Sequence, residues 1–291
     1  MKDEILLIDL HSHTSASDGQ LSPSELIERA IGNGVQMFAI TDHDTTSGLV
    51  EAHAYNQSHE TPLSLINGVE ISTRWHSQDI HIVGLNVRLQ SEEFEAFLTH
   101  QRELREVRAK QIGIRLAKAG IEGAYEGAKA LAGGAALSRG HYARWLANNE
   151  YATSTANVFK KYLARGKTGY VPNNWSDMAT AIEKIHQAGG VAILAHPSGY
   201  KLSGKWVKRL VREFKEAGGD AMEVVGSRQT IEDRNNLIAL SLQHELAASL
   251  GSDFHFAGHF IELGKNMFQP KGVNWVWQMD NWDPEQIASY I

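Results

Sequence analysis

Asp9-Leu10-His11-Ser12-His13-Thr14 decides how the rest of the chain is read. An aliphatic run over residues 5–10 has the character of a short buried strand, and two imidazoles follow it directly. Two residues apart on an extended chain, His11 and His13 project to the same side and can chelate one cation. An H-x-H pair alone has equally ordinary structural uses; its weight comes from what recurs further on. Asp18 lies in the loop that follows, ahead of Gly19. Thr41-Asp42-His43-Asp44 ends a second strand-like run (37–41), Gly68-Val69-Glu70 a third (64–70), and His81 lies in a fourth (80–86). Ala195-His196-Pro197 follows a fifth (191–195), Glu223 sits near the end of a sixth (220–225), and Gly251-Ser252-Asp253-Phe254-His255 ends a seventh (246–251). Donors recurring at strand C-termini mark the end of a parallel sheet or barrel where active sites are built.

Helical patterns separate several of these runs. Ser22-Pro23-Ser24-Glu25 reads as a capping box with Pro at the first helical position, closed by Gly32-Asn33-Gly34. Two more helices are expected, one from near Ser176 to Gly189-Gly190 and one over 230–245. Strand–helix alternation predicts an α/β fold with a parallel sheet, closing as a barrel. Residues 99–170 break the rhythm with a charged helix over 91–119 and further helical pattern through 141–165, with no strand signal. The expected organisation is a barrel from 1–98 and 186–291, interrupted by a helical, substrate-binding insertion over 99–185.

Composition limits the chemistry. The 291 residues include 14 His and no Cys, which excludes disulfides, thiolate metal sites and cysteine nucleophiles. A metal held by imidazole and carboxylate is zinc, manganese or iron. The N-terminus, Met1-Lys2-Asp3-Glu4-Ile5, lacks the base and long apolar run of a secretory signal, and no membrane-length apolar stretch occurs, so a cytoplasmic protein is expected. The net charge of −6 is uneven: residues 101–170 carry 13 Lys/Arg against five acids. This basic segment either faces an anionic partner or leaves Arg102, Arg105, Arg108 and Lys110 as a solvated helix face.

Taken together, the stretch 9–14, Asp18-Gly19, Ile40-Thr41-Asp42-His43-Asp44-Thr45, Gly68-Val69-Glu70-Ile71-Ser72, Ala195-His196-Pro197 and 251–255 resemble the PHP (polymerase and histidinol phosphatase) superfamily over essentially the whole chain. The resemblance implies a distorted (β/α)₇ barrel with a trinuclear metal site. Its ligands would be His11, His13, Glu70 and Asp253 on one ion, Glu70, His81 and His196 on a second, and Asp18, His43 and His255 on a third. No ligand is missing. Three divalent ions outweigh the three carboxylates, so the cluster would attract phosphate and turn bound water into a usable hydroxide. With that metal-bound hydroxide as nucleophile, Asp253 and His196 are the catalytic candidates. Manganese is the first expectation, with iron or zinc open. Asp42 and Asp44 are expected to orient the histidines from behind.

Specificity is expected from the insertion. Leu137-Ser138-Arg139-Gly140-His141-Tyr142-Ala143-Arg144 and Arg165-Gly166-Lys167-Thr168-Gly169-Tyr170-Val171-Pro172 place Arg139 and Lys167 beside glycines, suited to clamping a second phosphate with His141 nearby. These segments resemble the branch containing nucleoside 3′,5′-bisphosphate phosphatases and a 5′-to-3′ exoribonuclease. That resemblance implies removal of the 3′-phosphate from nucleoside 3′,5′-bisphosphates and 5′-to-3′ degradation of 5′-phosphorylated RNA, with no stable protein partner. The alternatives are a histidinol-phosphate or other small-metabolite phosphatase, and a non-catalytic module that binds metal or nucleic acid. Tyr142, Trp145, Tyr151 and Tyr170 are read chiefly as core, with base stacking as a second role. Trp275 and Trp277 are expected to cover the barrel rim. His53, His59, His76, His100, His186, His244 and His259 match no motif.

Overall fold

The computed structural model describes residues 6–60, 62–227, 229–258 and 261–282; His259 therefore lies outside the described residues. The barrel begins with β1 (Ile8–Asp9) and α1 (Pro23–Gly32). Ser22 Oγ accepts from the Glu25 amide while the Glu25 carboxylate accepts from the Ser22 amide, so the predicted capping box forms. Leu26, Ile27 and Ala30 then share one face and are buried. β2 (Met37–Ile40), α2 (Leu49–Gln57), β3 (Ser64–Trp75) and β4 (Gln78–Leu85) follow.

Next comes a helical stretch: α3 (Glu92–Lys118), α4 (Ala124–Ala132), α5 (Arg139–Asn148), and the short α6 (Thr155–Val158), which continues into a wider turn at Phe159–Leu163. Its members bury a cluster of their own that includes Ile112, Leu116, Ala128, Tyr142 and Leu146. The chain then completes the barrel through α7 (Met178–Gln187), β5 (Val191–Leu194), α8 (Gly204–Glu216), β6 (Ala221–Gly226), α9 (Ile231–Gln243) and β7 (Ala247–Gly251).

Among the described residues the seven strands form one sheet in chain order. Six neighbouring pairs hold it together, and two of them correct the all-parallel expectation: β4 runs antiparallel to both β3 and β5. Only His76 and Ser77 separate β3 from β4, too short a link for a parallel crossover, which needs roughly a dozen residues. The sheet curls until its ends nearly meet. The Leu10 amide donates to the Leu250 carbonyl at 3.2 Å, and the Asp253 amide to the His11 carbonyl at 2.9 Å. Gly251 permits this seam, because a Cβ there would lie 2.2 Å from the Cβ of His11.

Three helices, α2, α4 and α8, add to those expected, although α8 is clearly amphipathic and buries Leu210, Val211 and Phe214. The aromatic residues sort largely as core. Tyr142 is fully buried with its hydroxyl donating to the Ala109 carbonyl at 2.7 Å, and Trp145 stacks on Tyr151. Trp275 stacks on Trp277 and bridges Ala248 near the start of β7, away from the strand end that carries Asp253.

Candidate metal centre

Strand ends and the turns after them deliver nine donor residues to one place. His11 and His13 leave β1 with their Nε2 atoms 3.1 Å apart. His43 follows β2 and pairs alongside Glu70 of β3. His81 comes from β4, His196 follows β5, and Asp253 and His255 follow β7. Asp18 folds in from the loop after His13, where Asp42 anchors the chain by accepting from the Thr14 amide and the Thr14 and Ser17 hydroxyls. His196 and Asp253 take left-handed backbone conformations (φ 30° and 55°), uncommon for non-glycine residues and typical of functional turns.

Glu70 is the centre of the cluster. Its Oε1 lies 2.8 Å from His81 Nδ1, 2.9 Å from His196 Nε2 and 3.4 Å from His11 Nε2. Its Oε2 lies 2.8 Å from His43 Nδ1 and 3.4 Å from His13 Nε2. Asp253 Oδ1 is 3.3 Å from His13 Nε2, and Asp18 Oδ1 is 3.2 Å from His255 Nε2. Donor atoms converge in three overlapping groups: His11, His13 and Glu70; His43, Glu70 and His81; and His13, Asp18, His43 and His255.

The electrostatics fit cations. Burial alone would raise the pKa of Glu70, but the imidazoles of His81, His43 and His11 hold it well below the carboxylate range. Asp18 is likewise held low by His43 and His255 against its burial. His13 is pushed down to about 3 by burial and by the neighbouring His255, so its ring is neutral and free to coordinate. Burial also works against a charged His11, yet the carboxylates of Glu223 and Glu70 carry its pKa well above the ordinary imidazole value. Asp18 Oδ1, Glu70 Oε2 and His43 Nδ1 are buried and make no well-aligned hydrogen bond, although Glu70 Oε2 and His43 Nδ1 lie 2.8 Å apart. Buried acceptors left unanswered are costly, and divalent cations among them would satisfy all three.

Beside the cluster opens a cleft of about 270 Å³, reaching from Asp18, His43, His81 and His255 to α3 and α5. Three residues on one stripe of α3 face inward. Gln101 donates to the Ser72 carbonyl, Arg105 pairs with Asp44 Oδ2 at 2.6 Å, and Arg108 donates to the Val171 carbonyl at 3.1 Å. The guanidinium groups of Arg105 and Arg108 lie over the Trp175 ring. Arg139 and Arg144 of α5 join the same cleft. Burial, then the charge of Arg139, bring Arg108 down to about 10, a crowding of cations only partly offset by Asp79. Gly140 lets the N-terminus of α5 approach, since a Cβ there would meet Asp18 Oδ2 at 3.1 Å.

Arg139 thus reaches the expected cleft, but two companions do not. His141 is buried with Nδ1 accepting from the Ser138 amide, closing the cap of α5. Burial lowers it to about 4, so the ring there is neutral. Lys167 is exposed in a turn and does not line the cleft. Asp42 and Asp44 do not orient histidines either: the first ties down the Asp18 loop, the second pairs with Arg105 and accepts from the Ser72 amide. The residue that does hold a histidine is Glu223, whose Oε1 lies 2.6 Å from His11 Nδ1. Arg105 and Arg108 are buried rather than solvated. The aromatics that line the cleft are Trp175, Phe159 and Phe256, not Tyr142, Trp145, Tyr151 or Tyr170. The spacing of Arg105 and Arg108 by three residues was the available signal, though it fits a solvated face equally well.

The PHP domain family matches residues 9–189. The 5′-3′ exoribonuclease Rnm of Salmonella typhimurium is 50% identical over 97% of this chain and 96% of its own length. The 3′,5′-nucleoside bisphosphate phosphatase of Chromobacterium violaceum is 39% identical, covering 86% of this chain and 88% of its own. A solved structure of an amidohydrolase from Chromobacterium violaceum, with bound sulfate and no metal, superposes with a TM-score of 0.88 at 37% identity, over 93% of this chain and 94% of that one.

Proposed function

We infer, for a chain that belongs to the PHP domain family, a metal-dependent phosphoesterase that removes the 3′-phosphate of nucleoside 3′,5′-bisphosphates and degrades 5′-phosphorylated RNA from its 5′ end. The observation that carries this reading is a cluster of nine imidazole and carboxylate residues beside a cleft lined by Arg105, Arg108, Arg139 and Arg144. Both substrates have a terminal 5′-phosphate and a phosphorus on O3′, so one pocket serves both.

His11, His13, Asp18, His43, Glu70, His81, His196, Asp253 and His255 would hold three divalent ions, manganese first among them, with Glu70 shared. Such ions supply Lewis-acid polarisation of the phosphoryl group and activation of water. His196 and Asp253 stand beside the reacting phosphorus. Arg108 and Arg139, with Arg144, bind the terminal 5′-phosphate, and the approaching N-terminus of α5 adds its dipole. Trp175 and Phe159 wall the nucleoside between the two phosphorus atoms. Water adds its oxygen to phosphorus and the P–O3′ bond breaks, O3′ taking up a proton. Orthophosphate leaves from the bisphosphate; a shortened RNA that retains a 5′-phosphate leaves from RNA. The segment 99–185 acts as the specificity insertion on the barrel, except that Met178, Ala181, Ile182 and Ile185 of α7 pack into the barrel core.

The test is a panel of adenosine 3′,5′-bisphosphate, AMP, 3′-AMP and histidinol phosphate with manganese-supplemented protein, its metal content measured in parallel. Conversion of the bisphosphate to AMP and phosphate in preference to the others is expected. Faster hydrolysis of AMP or histidinol phosphate would overturn the two-phosphate reading.

A further inference from the structure

A second cleft opens beside the donor cluster, about 630 Å³ against about 270 Å³ for the arginine cleft. That volume lies in the ordinary range for ligand sites. His196 and Asp253 line it, Arg139 and Phe159 are shared with the first cleft, and the turn after β6 forms a further wall through Gly226, Ser227 and Gln229. Arg139 is its one Arg or Lys among the described residues, while Glu223, Asp233 and Asp253 are acidic. Ser227 Oγ and Gln229 Oε1 are buried polar atoms without a hydrogen-bond partner among the described residues. Groups of that kind are desolvated in advance for a ligand that answers them.

We propose that this second cleft holds the nucleoside that follows the scissile phosphate in an RNA substrate, with Ser227 and Gln229 hydrogen-bonding its ribose or base. The proposal rests on the phosphoesterase reading above. With the 5′-phosphate among the arginines, O3′ of the first nucleoside approaches the cluster from the first cleft. The ester oxygen that remains on phosphorus, O5′ of the next nucleotide, then leads the chain into the second cleft, which begins at His196 and Asp253. In a bisphosphate that substituent is a bare oxygen and the cleft makes no contact. Because P–O3′ breaks and P–O5′ survives, the product retained there already carries the 5′-phosphate that the arginine cleft recognises. Moving across the cluster by one nucleotide returns it as substrate.

The experiment compares kcat/KM on adenosine 3′,5′-bisphosphate with that on the 5′-phosphorylated dinucleotide pApA, with manganese present. In Ser227→Ala and Gln229→Ala the ratio of dinucleotide to bisphosphate activity is expected to fall about fivefold each, the size of a typical hydrogen bond, and to fall through KM. Gly226→Trp is a steric version: a Cβ there meets only the Gly251 carbonyl at 3.7 Å, so the ring has room to enter the cleft and should lower the ratio at least tenfold. An unchanged ratio in all three variants would overturn the proposal, as would a wild-type protein that cleaves the bisphosphate and leaves pApA intact. Failure of the wild type on both substrates would instead overturn the phosphoesterase reading, and this proposal with it.

Discussion

Glu223 spans two ligand segments: its Oε1 lies 2.6 Å from His11 Nδ1, and its Oε2 accepts from the His196 amide at 2.6 Å. One carboxylate on β6 therefore fixes the ring of a residue after β1 and the backbone of a residue after β5. With Nδ1 of His11 donating to Glu223, Nε2 faces the cluster, where a bound cation would displace its proton.

Glu223→Ala should lower the affinity for manganese by roughly 10–100-fold, the usual cost of removing a group that orients a ligand. Chelator competition measures this directly. The melting temperature of the metal-free variant should change little by comparison. Unaltered metal affinity would remove Glu223 from the site.

Arg139→Ala should raise KM for adenosine 3′,5′-bisphosphate by roughly 10–100-fold, since a charge-assisted hydrogen bond contributes about 1.5–3 kcal/mol. The same change should matter far less for 3′-AMP, which lacks the 5′-phosphate. Equal losses on both substrates would place Arg139 elsewhere in the reaction.

Arg105 and Asp44 are both buried and joined through two hydrogen bonds to Asp44 Oδ2. Arg105→Met leaves an unpaired buried carboxylate and should destabilise the protein by about 3–5 kcal/mol. The double change with Asp44→Asn should recover a good part of this, because neither charge is then left alone. Additive losses in denaturant titrations would show that the two residues act independently.

Arg29 ties α1 to the segment after β7 by two hydrogen bonds to Glu262. Those bonds hold the Glu262 carboxyl below its ordinary value of 4.5, against a smaller contribution from burial. A depressed carboxylate stabilises fully above its unfolded pKa and loses that contribution as pH falls through its lower folded pKa. The wild type should therefore exceed Glu262→Gln by about 1 kcal/mol near neutral pH, with the gap closing as pH falls below the ordinary carboxyl value of 4.5. A gap that stays constant across this range would contradict the linkage.

The recurrence of His11, His13, His43, Glu70, His196, Asp253 and His255 at strand ends was legible because local order carries it. A strand turns its C-terminal residues toward one face of the sheet wherever the strand lies. Seven strands and the long α3 were legible for the same reason. The direction of β4 had a readable cue in the two-residue link His76-Ser77, but strand patterning alone says nothing of direction. Arg105 and Arg108 were opaque: a helix face that pairs with Asp44 and Trp175 has the same spacing as one that faces water.

The sequence by itself thus determined the α/β class and the recurrence of imidazole and carboxylate residues at strand ends, since each depends on residues within a few positions of one another. Only the tertiary structure decided that Glu223 rather than Asp42 or Asp44 steadies a histidine, and that arginines of α3 replace Lys167 beside Arg139. It also revealed the second cleft beside the cluster. All three depend on contacts between segments far apart in the chain, and those are settled by how the barrel closes and how the helices pack over its open end.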